Sequence, residues 1–403
     1  MNIFRKLYNR GFQILMRAAI PLLPYRQPQI LHTFKAVPNI LMSYDINSVM
    51  IVTDEGVYGL GLCAALESAL QANNIEYVVY RDVQANPMVS NVEAGRDLYL
   101  QHSCKAIIAV GGGSPMDAAK ALGARVVHPK KSLSAMRGVL KLHRKLPLLI
   151  CAPTTAGTGS ETTLASVITD DTAGFKYAIN DFHLIPRYAV LDAALTIGLP
   201  PQLTATTGMD ALTHAVEAYI GRSTTKDTRE AAVEAIQLIF GNLQSVYHNG
   251  ANLKARENML RASYLAGLAF TKSYVGNVHA VAHSLGGRYS IPHGLANAVL
   301  LPIVLREYGS TVEKKLAHLA KISGVVSIQH ADDNIAAKTF IAHIQKMNDN
   351  MNIPRTLGGI ALQDIPDMAR KAQKEANPLY PVPQMWDVED FIKIYKLAGG
   401  LSS

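Results

Sequence analysis

From Ser48 onward, short apolar runs alternate with longer stretches of helical period. Val49–Thr53 reads as a buried strand and Ile75–Tyr80, Lys105–Val110 and Leu148–Cys151 as further strands, with helical periods at 57–72, 92–102 and 116–127 between them. Strands separated by helices predict a parallel sheet covered on both faces. Near Gly198-Leu-Pro-Pro-Gln202 the pattern changes. Helical periods then dominate at 209–220, 229–247, 253–270, 280–289 and 295–308, and strand-like runs become scarce. The expected organisation is an α/β domain with a parallel sheet over residues 45–200 and an all-α domain over 201–403. A basic extension with a first-strand region, residues 1–44, precedes them.

That extension has its own pattern. Phe4, Leu7, Phe12, Ile14, Leu15 and Ile20 interleave with Arg5, Lys6, Arg10 and Arg17, and the run ends at Pro21 and Pro24. It lacks the continuous apolar centre and small-residue cleavage site of a secretory signal. An amphipathic helix is expected, packed on the protein's own body or on a neighbouring subunit. Peripheral contact with an anionic membrane and, despite few serines, an organelle-targeting peptide are the other readings.

Composition narrows the classes. At 403 residues, with 49% hydrophobic and 17% charged, the chain can bury a large core and disorder is not expected. No apolar run reaches the roughly 18 residues of a membrane span. Cys63, Cys104 and Cys151 show no pairing pattern, which suggests a reducing, cytoplasmic location. The formal charge of +8 is concentrated in two acid-free stretches, 1–44 and 128–145. Removing their twelve cations leaves −4 for the rest. Without aromatic interleaving or a nucleic-acid motif, those patches read as solvated faces, and no nucleic-acid partner is expected.

Two polar runs suggest a nucleotide. Gly111-Gly-Gly-Ser-Pro-Met-Asp117 lies between an apolar strand and a helix, where glycines admit a pyrophosphate to backbone amides and the helix N-terminus favours negative charge. Ser114 is the expected N-cap and Pro115 suits the first turn. Thr154-Thr-Ala-Gly-Thr-Gly-Ser160 follows the next strand, at the same carboxyl edge, where open parallel sheets bind ligands. Asp54 ends the first strand. It is either an acceptor for an adenosine ribose, favouring NAD over NADP, or an ordinary helix cap.

Two histidine-bearing helical segments suggest a metal. Asp210 and His214 are four apart, as are His279 and His283, so each pair shares a helix face. His293 follows in the turn Ile291-Pro-His-Gly294. One carboxylate with several imidazoles suits Fe(II) or, alternatively, Zn(II).

The stretch 276–297, with its Gly276-Asn-Val-His-Ala-Val-Ala-His283 and Ile291-Pro-His-Gly294, resembles the signature of the iron-containing, or group III, alcohol dehydrogenases. Gly208–Tyr219, Gly111–Lys120 and Thr154–Glu161 match the same family in the same order. The resemblance implies a dehydroquinate synthase-like fold, an N-terminal nucleotide-binding domain and a helical metal-binding domain. By position it implies Asp210, His214, His279 and His293 as metal ligands, and His283 as a further histidine near nicotinamide and substrate. It places Asp54, Gly112, Gly113, Ser114, Asp117, Thr154, Thr155, Thr158 and Lys176 against the dinucleotide, and Phe270 in the substrate pocket. The implied activity is reversible hydride transfer between a small alcohol or diol and NAD, in a homodimer or higher homo-oligomer. The alternatives within the fold are a hydroxyacid–oxoacid transhydrogenase and a glycerol-dehydrogenase-like enzyme. A non-catalytic NAD-binding module is the alternative from another class.

Overall fold

The computed structural model describes residues 3–171, 175–327 and 332–401. It divides into two compact units, one formed by Pro24–Leu199, the other by Met1–Leu23 together with Pro200–Ser403. The stretch 1–44, expected as one extension, is therefore split. Its first helix, α1 (Ile3–Ala19), belongs to the helical unit, because buried Asn9 and Gln13 and the Arg10 guanidinium bond to the 377–383 segment. Its remainder belongs to the α/β unit, because β1 (Gln29–Leu31) pairs with a distant strand at 188–190.

In the α/β unit, β1 is followed by α2 (Val37–Ser43), β2 (Ser48–Val52), α3 (Glu55–Gly59), α4 (Ala64–Ala72), β3 (Glu76–Tyr80), α5 (Val89–Gln101), β4 (Ala106–Gly111) and α6 (Gly113–Val127). Then come α7 (Leu133–Met136), β5 (Gly138–Val139), β6 (Leu148–Pro153), β7 (Ala165–Asp170), β8 (Phe175–Asn180) and β9 (Tyr188–Val190). Six strands form one parallel sheet in the order β1-β9-β6-β4-β2-β3. Every residue of β2 and β4 is buried, as the unbroken apolar runs require of central parallel strands. Successive side chains feed opposite faces. Met50, Val52, Ile107 and Ala109 pack with Val92, Met116 and Leu122, whereas Val49, Ile51, Ile108 and Val110 pack with Leu41, Leu66 and Leu70.

Two expectations need correction. The helical period at 57–72 forms two helices, α3 and α4, because Gly61 between them takes φ +72°. A second sheet, β5-β8-β7 with an antiparallel β7–β8 pair, was not expected at all. Ser166, Thr169 and Asp170 make β7 look polar, although Ser166 and Ile168 are buried.

The helical unit continues with α8 (Pro201–Ile220), α9 (Lys226–His248), α10 (Leu253–Ser273), α11 (Asn277–Tyr289) and α12 (His293–Tyr308), then α13 (Glu313–Ile322), α14 (Asp333–Asn350), α15 (Ile365–Ala376) and α16 (Val388–Gly399). From Gly208 to Ile220 every residue of α8 is buried, so polar groups on it face protein rather than water. Among the described residues, no helix is long and apolar enough to cross a membrane.

Candidate active site: a nucleotide corner and a metal centre

At the carboxyl edge of the parallel sheet, β4 ends at Gly111, whose φ of +151° and contact with the Pro115 ring exclude a side chain. Gly112 is the N-cap and α6 starts at Gly113, three residues before the expected Met116. Ser114 is thus inside the first turn and is not the cap; its Oγ accepts from the Asn86 amide at 3.3 Å. The helix N-terminus leaves amides and a partial positive charge directed beyond the sheet edge.

The hydroxyl-rich loop after β6 lies against these glycines. Thr154 N donates to Gly111 O at 2.9 Å. A Cβ on Gly113 would meet Thr158 at 3.2 Å, and one on Gly112 would meet Thr155 at 3.6 Å. Thr155 Oγ1 is buried with no hydrogen-bond partner among the described residues, an unused polar atom beside the glycines. Buried Lys120 fastens the loop, donating to carbonyl and hydroxyl oxygens of Ser160 and Thr163 and to Ala165 O, all within 3.0 Å. Asp117 accepts from Ser160 Oγ at 2.9 Å and Val167 N at 3.0 Å, so its carboxylate is already engaged in holding the loop. Lys176, on β8, donates to Asn86 Oδ1 at 2.8 Å, and Asn86 thereby links it to Ser114. Asp54 caps α3 through Val57 N at 2.9 Å, which uses one of its two carboxylate oxygens.

The second constellation is built on α8, α11 and α12. Asp210 and His214 lie one turn apart on α8, His279 lies in the first turn of α11, and His293 opens α12. One ligand atom from each lies within 4.8 Å of all the others. His279 Nε2 and His293 Nε2 are 3.8 and 3.5 Å from Asp210 Oδ1. The close approach of α12 to α8 depends on Gly294, where a Cβ would meet the Thr206 carbonyl oxygen at 2.5 Å.

Buried partners orient the donors. Glu217 accepts from the Gly276 and Val278 amides, each at 2.8 Å, and lies 2.6 Å from His279 Nδ1. With its proton on Nδ1, His279 turns the Nε2 lone pair toward Asp210. Burial and the nearby His214 and His293 hold the His279 pKa well below that of an ordinary imidazole, keeping it in the neutral, metal-binding form. Burial also pushes the Glu217 carboxyl up to about 7, against the bonds it accepts. Asn297 Nδ2 donates to Asp210 Oδ1 at 2.6 Å and lies 3.1 Å from both His279 Nε2 and His293 Nε2. The amide thus directs positive hydrogens at the acceptors that a cation would use. One carboxylate and three imidazoles, converged and mostly buried, fit a borderline divalent ion. Phe270, from α10, stacks on His214 with ring centroids 4.1 Å apart.

His283, one turn beyond His279, is not in the four-donor group. Its ring stacks on His293 at 5.2 Å, and its Nδ1 lies 2.5 Å from Glu375 Oε1. Tyr380 OH donates to the same oxygen at 2.7 Å. Burial opposes charge on His283, but the Glu375 carboxylate outweighs it and raises the imidazole pKa.

Residues 30–193 match the family described as iron-containing alcohol dehydrogenase, and residues 204–399 match the family's C-terminal part. The chain belongs to the iron-containing alcohol dehydrogenase family. Within that family it is 38% identical over 353 residues to the 1,3-propanediol dehydrogenase of Citrobacter freundii, covering 87% of this chain and 90% of the relative. The NAD-dependent methanol dehydrogenase of Bacillus methanolicus is 32% identical over 366 residues, covering 90% and 95%. A crystal structure of 1,3-propanediol oxidoreductase superposes with a TM-score of 0.88 at 36% identity, over 93% of this chain and 98% of that one.

Glu217, Asn297, Lys120, Glu375 and Tyr380 were not anticipated from the sequence. The first two carried a signal: Glu217 is seven residues after Asp210 and Asn297 four after His293, each on the ligand face of its helix. Glu375 is 92 residues from His283 and had none.

Proposed function

We propose that the protein is an NAD-dependent, divalent-metal-dependent alcohol dehydrogenase, interconverting a small alcohol or diol and the corresponding aldehyde or ketone. The observation that carries this reading is the convergence of ligand atoms from Asp210, His214, His279 and His293 within 4.8 Å. The reaction moves a hydride from the carbinol carbon to NAD and releases one proton. Asp210, His214, His279 and His293 would hold a divalent ion, Fe(II) or alternatively Zn(II), which when bound would supply a Lewis acid that favours loss of that proton.

The chain's own groups account for the rest. Glu217 holds His279 in the tautomer that leaves Nε2 free for a metal, and Asn297 donates to the Asp210 carboxylate. His283, backed by Glu375 and Tyr380, can take a proton from the reacting oxygen and pass it toward solvent. In the α/β unit, the α6 N-terminus with Gly112, Gly113 and Ser114 suits a pyrophosphate, and Thr154, Thr155 and Thr158 offer hydroxyls beside it. Lys176 supplies a nearby cation, and Asp117 acts through Ser160. The Asp54 carboxylate would repel a 2′-phosphate, which favours NAD over NADP.

The test is His279→Ala, prepared without oxygen and supplied with Fe(II) or Zn(II). Loss of bound metal by elemental analysis, together with loss of NADH formation from short alcohols, is expected. Full activity in a metal-free variant would end the proposal.

A further inference from the structure

Helix α1 is mounted with its polar side inward. Gln13 Nε2 donates to the carbonyls of Pro378 and Tyr380 at 3.1 and 2.7 Å, and Arg10 donates to those of Val382 and Pro383 at 2.8 and 3.0 Å. Asn9 is buried beside them. The opposite side carries Phe4, Leu7, Tyr8, Ile14 and Leu15, all between 63% and 77% exposed. Their spacing places them on one face of the helix, and Leu22 extends the apolar surface just beyond it. A helix on a water-soluble surface ordinarily turns this face to the core. Here backbone carbonyls of the protein body hold the polar face, so the apolar stripe points away. Contiguous exposed apolar surface of this kind marks a contact site.

Charge selects the partner. Arg5, Lys6 and Arg17 are exposed on the helix, and residues 1–44 contain no acid. Burial first, and then repulsion from Arg222, Arg229 and Arg17, pulls the Lys315 pKa down to about 8, so Arg17 shares its neighbourhood with other cations of the body. A second copy of the chain, docked stripe to stripe, would bring these cations against their own counterparts with no acid on either helix to offset them. An anionic lipid surface supplies both an apolar layer and the opposite charge.

We propose that α1 is an interfacial anchor that lays the protein on an anionic lipid surface, with Leu7, Tyr8, Ile14 and Leu15 entering the headgroup–acyl boundary and Arg5, Lys6 and Arg17 contacting the headgroups. The helix lies in the interface and does not span it.

The experiment is cosedimentation of the full chain with phosphatidylcholine vesicles, with and without about 30% phosphatidylglycerol. Binding is expected only with the anionic lipid and is expected to fall as salt shortens the screening length. The triple variant Arg5→Gln, Lys6→Gln, Arg17→Gln should partition roughly a hundredfold more weakly, from the usual contribution of each cation at such a surface. Leu7→Glu with Leu15→Glu should abolish binding while leaving the melting temperature and the light-scattering mass unchanged. No binding by the parent, or equal binding to neutral vesicles, overturns the proposal. A fall in assembly mass in Leu7→Glu with Leu15→Glu also overturns it, because the stripe would then be a subunit interface.

Discussion

Glu217 accepts bonds from two amides at the start of α11 and from His279 Nδ1, so one buried carboxylate sets both a helix start and an imidazole tautomer. Glu217→Gln keeps the shape and loses the charge. Its metal affinity should fall about ten- to a hundredfold, read by competition with a chromogenic chelator; an unchanged affinity would remove Glu217 from this role. Glu161 is a different case. Both its carboxylate oxygens are buried without a hydrogen-bond partner among the described residues, and burial pushes its pKa up to about 7 from the ordinary 4.5. Between those values the folded state holds a proton that the unfolded chain has lost, so stability falls as pH rises through this window. Glu161→Gln cannot ionise. Relative to the parent it should gain on the order of 3 kcal/mol between about pH 4.5 and pH 7, measured by urea unfolding. A difference that stays constant with pH would contradict this account.

At the scale of elements, the metal centre depends on how closely α8 and α12 approach. Gly294 is next to His293, and any Cβ there would press on the Thr206 carbonyl of α8, which cannot rotate aside. Gly294→Ala should displace the first turn of α12, carrying His293 and Asn297 away from Asp210. A destabilisation of roughly 1–3 kcal/mol is expected, together with weaker metal binding. Calorimetry and metal titration would check both, and parent-like values in each would show that the contact is not limiting. The same scale explains which elements were legible. Strands β2, β4 and β6 are central, and buried parallel strands need unbroken apolar runs. Strands β1 and β9 are only three residues long, and β7 buries Ser166 while exposing Val167, so none of them carries a run or an alternation that fixes its bounds from the sequence.

For the whole molecule, the candidate nucleotide groups lie in the unit Pro24–Leu199 and the candidate metal ligands in the other unit. A ligand that binds only the folded state stabilises it by mass action, by about 3 kcal/mol at a hundred times its dissociation constant. Divalent metal and NAD should therefore each raise the melting temperature of the parent. His279→Ala should lose the shift caused by metal and keep the one caused by NAD, and scanning fluorimetry that found both lost would argue against two separate sites. The sequence by itself was sufficient for the α/β-then-helical order, the glycine and threonine runs at the sheet edge and the same-face pairs Asp210/His214 and His279/His283. Each of these is a local pattern, written by strand or helix periodicity within a few residues. Only the tertiary structure decided that β1 joins β9, that Ser114 lies inside α6, that Glu375 backs His283 and that α1 turns its apolar stripe outward. Those outcomes depend on which distant backbone or side-chain group meets a given residue, and spacing along the chain carries no record of that.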